Sequence, residues 1–131
     1  MLFHTFLSQE ERRKFNGSDF FEIQFCRLPK GTAVEKIVAV DSIRHWLNDS
    51  LYVSGNDDNA FWEEYHDVLD CGIYNNLETG EIDPYGINYY RPDLISSIIT
   101  KLMEIKPMDY EKLVEWLNTA KKYNGFYILG V

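Results

Sequence analysis

Apolar positions along the chain change period several times, and each change predicts an element. Ser8 followed by Glu11 has capping-box spacing and predicts a short helix over roughly 8–15, ended by the turn Asn16-Gly17-Ser18-Asp19. Phe21, Ile23 and Phe25 then alternate with Glu22 and Gln24, the period of a half-buried strand closed by Pro29-Lys30-Gly31. The β-branched run Glu35 to Val40 predicts a second strand. Asp41 is placed to cap a short helix carrying Ile43, Trp46 and Leu47 on one face. The apolar Leu51-Tyr52-Val53 leads into a polar loop, Ser54 to Asn59.

Phe61, Tyr65, Val68 and Leu69 recur at i, i+4, i+7 and i+8, the stripe of an amphipathic helix capped by Asp57-Asp58-Asn59. Beyond it, Glu78-Thr79-Gly80-Glu81 and Asp83-Pro84-Tyr85-Gly86 predict turns. Pro92 and Asp93 open a helix whose wide apolar face (Leu94, Ile95, Ile98, Ile99, Leu102, Met103) predicts the most buried helix, stopped by Pro107. Asp109 is placed to cap a last helix that buries Leu113, Trp116, Leu117 and Ala120 and ends with Lys121, Lys122 and a Gly125 suited to C′. Phe126-Tyr127-Ile128-Leu129 is apolar on both faces and predicts a covered strand. These elements predict a single α+β domain over 1–131, with about four helices on a small mixed or antiparallel sheet.

Composition changes this picture little. Apolar residues at 45% and charged residues at 26% are those of an ordinary folded domain. No apolar run approaches the ~20 residues of a membrane span. The opening Met1-Leu2-Phe3-His4-Thr5-Phe6-Leu7 lacks a basic n-region, which predicts a cytoplasmic protein. Cys26 and Cys71 are too few and too far apart for a disulfide framework, and read as reduced residues in or near the core.

Charge changes it more. Asp49, Asp57, Asp58, Glu63, Glu64, Asp67, Asp70, Glu78, Glu81 and Asp83 lie between 49 and 90, where there is no Lys or Arg. Each flanking segment carries one more base than acid, so the formal charge of −8 belongs to this block. A helix meant only to be solvated usually mixes both signs. Unrelieved acidity therefore predicts compensation from outside: a basic protein, with direct nucleic acid and anionic membrane disfavoured. Trp62, Tyr65, Tyr74 and Tyr85 fall in the same block and are candidate aromatic anchors.

Motifs for catalysis and cofactors do not occur: no phosphate loop, nucleophile elbow, paired-His or paired-Cys signature. Neither a catalytic residue, a cofactor nor a metal is therefore expected. The single Glu63-x-x-His66 is half of a carboxylate-bundle metal motif and reads better as a His–Glu hydrogen bond. Asp57-Asp58-Asn59 lacks the spacing of a calcium loop.

Tyr89-Tyr90-Arg91-Pro92-Asp93-Leu94, Leu113 with Trp116-Leu117, and Asn124-Gly125-Phe126-Tyr127-Ile128-Leu129-Gly130 resemble the small immunity proteins of bacterial toxin–immunity systems, including contact-dependent growth inhibition. The resemblance covers about the last third of the chain. It implies a noncatalytic inhibitor that binds one cognate toxin, often a nuclease. With the charge map, it places toxin binding on Asp57, Asp58, Trp62, Glu63, Glu64, Asp67, Asp70, Glu78, Asp83 and Tyr85. Two other readings remain open at this point: a small acidic enzyme using carboxylates and His66, and an acidic adaptor or regulator that mimics nucleic-acid charge.

Overall fold

A strand with no polar residue must be covered on both sides, and that places Phe126–Leu129 in the middle of the sheet. The computed structural model describes residues 1–130. In chain order the elements are α1 (Gln9–Asn16), β1 (Phe20–Phe25), α2 (Val34–Ile37), β2 (Leu51–Ser54), α3 (Asp58–Tyr65), β3 (Gly72–Ile73), β4 (Thr79–Gly80), β5 (Ile87–Tyr90), α4 (Ile95–Ile105), α5 (Tyr110–Ala120) and β6 (Phe126–Leu129). The six strands form one sheet in the order β2-β1-β6-β5-β3-β4, antiparallel at every pairing. The class is α+β, with five α-helices.

One face of the sheet carries Phe21, Ile23, Phe25, Leu51, Val53, Tyr90, Phe126 and Ile128 against α3, α4, α5 and the N-terminal Leu2 and Phe3. Phe25 stacks on Trp116 at 4.1 Å and Tyr90 on Phe126 at 4.6 Å. The other face buries Tyr89, Tyr127, Leu129, Ile73 and Cys26 under Ile37 and Val38, and buries Phe20 and Tyr52 under Phe6 and Trp46. The Arg12 guanidinium of α1 lies 5.5 Å from the rings of both Trp46 and Tyr52.

The alternation in β1 was expected to put Glu22 and Gln24 toward water, but both are buried. The segment after β1 folds back over them because Glu22 accepts its hydrogen bonds. The carboxylate takes the amides of Trp46 (2.9 Å) and Leu47 (3.1 Å), the hydroxyls of Ser50 (2.7 Å) and Tyr52 (3.2 Å), and the Gln24 side-chain amide (3.0 Å). That commitment also explains why no helix follows Asp41. The Trp46 and Leu47 amides are given to Glu22, Trp46 has φ 70°, and only a 3₁₀ turn, Val40–Ser42, forms there. Nor does Glu35–Val40 form a strand. Its carbonyls serve side chains of other elements, Ile37 accepting from the Tyr127 hydroxyl of β6 and Val38 from the Asn75 amide of the β3–β4 turn, and the short helix α2 suits that better than a ladder.

Other expectations hold with shifted details. Ser8 caps α1 by accepting the Glu11 amide, while the Glu11 carboxylate reaches one residue further, to Leu7. The amphipathic helix α3 stops at Tyr65, although Val68 and Leu69 are still buried in the turn beyond. Asp67 and Asp70 would have opposed the helix dipole at that end. The hairpin between β3 and β4 turns at Asn75-Asn76-Leu77, where the Asn76 side chain accepts the Glu78 amide, so Thr79–Gly80 is strand rather than turn. On α4, Met103 and Ile105 are exposed, and the larger buried face belongs to α5.

Asp109 stands at the N-cap position of α5 with φ 59° but does not cap it. Its carboxylate instead accepts the amides of Leu2 (3.1 Å) and Phe3 (2.9 Å), tying the start of the chain to the last helix. Gly125 lies too far beyond α5 to be C′ and serves the turn into β6. There its φ is 82°, and a Cβ would stand 2.1 Å from the Tyr90 carbonyl oxygen.

Two predictions follow from these contacts. Glu22→Gln replaces one acceptor oxygen with a donor facing other donors, and should lower the unfolding free energy by about 3 kcal/mol in urea titrations. The pKa of His4 is held below its ordinary 6.5 by burial first and by the Lys112 charge second. A depressed histidine pKa means the unfolded chain binds the proton more readily. Stability is therefore full above pH 6.5 and lost as pH falls below it. Urea midpoints compared between pH 7 and 5 should fall less in His4→Gln than in the parent.

Candidate binding site

The site is built where β2 ends. Ser54 accepts the Asn56 amide and the Asn16 side-chain amide, starting a 3₁₀ turn, Gly55–Asp57, that runs directly into α3. This arrangement replaces the expected cap: Asp57 occupies the N-cap position without a side-chain bond, and Asp58 accepts only the neighbouring Asn59 amide. From α3, Phe61 and Tyr65 enter the core, while Trp62 and Glu63 face outward.

The opposite wall is the connection from β4 to β5. The buried Asn88 holds it there, its Oδ1 accepting the Asp83 amide at 2.9 Å and its Nδ2 donating to the carbonyls of Asp83 and Ile128. Ile82 is thereby pressed into the core and Pro84 carried toward α3. Between the two walls lies an open cavity of about 360 Å³ lined by Phe21, Asp58, Asn59, Phe61, Trp62, Ile82 and Pro84. Five of these seven side chains are apolar, and Trp62 is 39% exposed at the rim.

The fold divides the acidic block. Asp58 lines the cavity, with Asp57 beside it in sequence, Glu63 next to Trp62 and Asp83 between Ile82 and Pro84. A second group, Glu78, Glu81 and Asp83, surrounds Tyr74, whose hydroxyl donates to the Glu81 carbonyl. Burial and then these three charges push the Tyr74 pKa up. Asp83 belongs to both groups and joins them.

Four of the expected binding residues are engaged differently. Glu64, partly buried, accepts the Met108 amide at 2.6 Å, bracing the α4–α5 connection. Asp67 lies 3.3 Å from His66 Nδ1, so the histidine pairs with Asp67 rather than with Glu63, and its ring stacks on Trp62 at 5.0 Å. Asp70 is exposed beyond the end of α3, beside Cys71. Tyr85, 84% exposed, borders a different depression with Val40, Ile43, His45 and Asn75. Of the other aromatic candidates, Tyr65 is core: it is 0% exposed and donates to the Met108 carbonyl.

Asp49 is not a free acid of this surface: it pairs with Arg27, beside Trp116 of α5, whose indole donates to the Asp49 carbonyl. Among the described residues it is the one acid of the block that meets a Lys or Arg. Again among the described residues, no group of three His, Cys, Asp or Glu side chains is placed to hold a metal ion, and no helix is long and apolar enough to cross a membrane. Both cysteines are free.

Sequence reasoning took Phe21 and Phe61 as core only and Asn59 as a cap, and it passed over Ile82. The signal for Ile82 was there: a lone apolar residue between Glu81 and Asp83, just before a proline. Comparison with protein families, curated proteins and solved structures returns no match to this chain.

The exposed Trp62 reports on the local potential. Its emission, isolated as the difference between the parent and Trp62→Phe, should be quenched by caesium relative to iodide at least about twofold more than that of a free tryptophan amide. The preference should shrink as salt rises.

Proposed function

We propose that the protein is a binding module that captures a basic protein on the α3 face, and that this partner is a cognate bacterial toxin of nuclease type, neutralised in the cytoplasm by an immunity protein. The observation that supports this reading is an apolar cavity with a half-exposed tryptophan at its rim, bordered by carboxylates that form no salt bridge with a Lys or Arg among the described residues. The toxin identity rests on the resemblance of the last third of the chain to immunity proteins.

The mechanism has two stages. Asp57, Asp58, Glu63, Asp67 and Asp83 attract a cationic surface over about a Debye length. Docking then removes water from Trp62 and the cavity walls, and this apolar burial, rather than charge, sets residence time. Glu64 is excluded from the steering set because its carboxylate holds the Met108 amide.

The test begins with a protein captured from the native host and purified. Association should reach about 10⁸ M⁻¹ s⁻¹ at low salt and slow as salt rises. In the quadruple variant Asp57→Asn, Asp58→Asn, Glu63→Gln, Asp67→Asn it should slow about tenfold or more, with the urea midpoint unchanged. The captured protein should arrest growth when expressed alone and be harmless when co-expressed with its binder. Unaltered association in the variant, or no rescue, overturns the reading.

A further inference from the structure

Resting on that reading, we infer that the cavity between α3 and the Ile82–Pro84 segment receives one large apolar side chain, preferably aromatic, from a partner segment that carries Lys or Arg on either side of it. Three observations lead there. The walls are Phe21, Phe61, Trp62, Ile82 and Pro84, with only Asp58 and Asn59 polar, so the interior suits an apolar occupant. Three of the lining side chains, Phe21, Phe61 and Trp62, are aromatic, which favours an aromatic guest. The space, about 360 Å³ and open to solvent, has room for a large aromatic side chain together with part of the segment that carries it.

Charge then selects what surrounds that side chain. Asp58 is on the wall, and Glu63 and Asp83 adjoin Trp62 and Pro84 in sequence, so residues flanking the inserted group pass close to carboxylates. An anionic small molecule would meet repulsion there, as would an acidic peptide. A basic segment gains attraction at the rim while its apolar residue loses water in the centre, the pattern of an anchor inside a charged ring. Both walls are fixed before binding: α3 by its run-in from Ser54, and Ile82–Pro84 by the Asn88 hydrogen bonds. Binding therefore costs little ordering of the protein itself.

The experiment uses the full chain labelled with ¹⁵N and three blocked peptides, Lys-Lys-Gly-Phe-Gly-Lys-Lys, the same peptide with Ala for Phe, and Glu-Glu-Gly-Phe-Gly-Glu-Glu. The Phe basic peptide should shift the Trp62 indole and Ile82 amide resonances and bind about tenfold or more tighter than the Ala basic peptide. Asn59→Phe, a surface change that fills the cavity from its rim, should bring the two basic peptides to equal affinity, and the Glu peptide should not bind. Equal affinity of the two basic peptides for the parent protein overturns the cavity assignment while leaving the acidic surface intact. Failure of both to shift any α3 resonance sinks the underlying binding reading as well. Tight binding of the Glu peptide overturns the charge requirement. Concentration-dependent self-association abolished by Asn59→Phe would assign the cavity to a second copy of the chain and overturn the proposal.

Discussion

A carboxylate buried in the sheet organises the half of the molecule that has no long helix. Glu22 sits on β1 at a position that alternation would give to solvent, and it accepts from two amides, two hydroxyls and a carboxamide. Desolvating an anion is costly, and only such a dense set of donors offsets it. The chain from Arg44 to Ser50 has almost no regular structure of its own. Its path is the path that brings those donors to Glu22. Trp46, held there in a left-handed conformation, then covers Tyr52 and meets the Arg12 guanidinium of α1. The second layer of the fold is thus held by polar geometry at its centre and by aromatic stacking at its edge.

The helical face works the other way. There the interior is apolar, and a polar residue, Asn88, is admitted at one point to fix a connection that has no strand to pair with. The two buried polar groups share a logic: each gives a stretch of irregular chain one defined position. For the cavity beside α3 the second matters more, since without it the wall opposite α3 would be a free loop and the space beside Trp62 would not keep its shape. Among the described residues the salt bridges made by Lys or Arg lie elsewhere, Arg27 on Asp49 and Lys14 on Glu10, and none reaches the acids at its rim.

What the sequence revealed and what it hid divide along a physical line. Elements that rest on local chemistry were legible: the Ser8 cap, the Asp83–Gly86 turn, the stripes of α3 and α5, and the doubly covered β6. Elements decided by distant partners were not. The β-branched run Glu35–Val40 looks like a strand until Tyr127 and Asn75 claim its carbonyls, and Asp109 looks like a cap until Leu2 and Phe3 claim its carboxylate. The same holds for the candidate site. Of the residues that charge density singled out, Asp58 falls on the cavity together with Trp62, but nothing local could separate Tyr85 from it, commit Glu64 to the Met108 amide or bring Ile82 across from another element.

The position of β6 bears on how the domain comes into being. It is the last strand in the chain and stands third in a sheet of six, between the β1–β2 pair and the group formed by β5, β3 and β4. Until it is synthesised, those two groups have no backbone ladder between them and their inner edges stay open. Closure of the sheet therefore waits for β6 and depends on long-range pairings, a topology that favours slow, all-or-none maturation over growth outward from the first residues made.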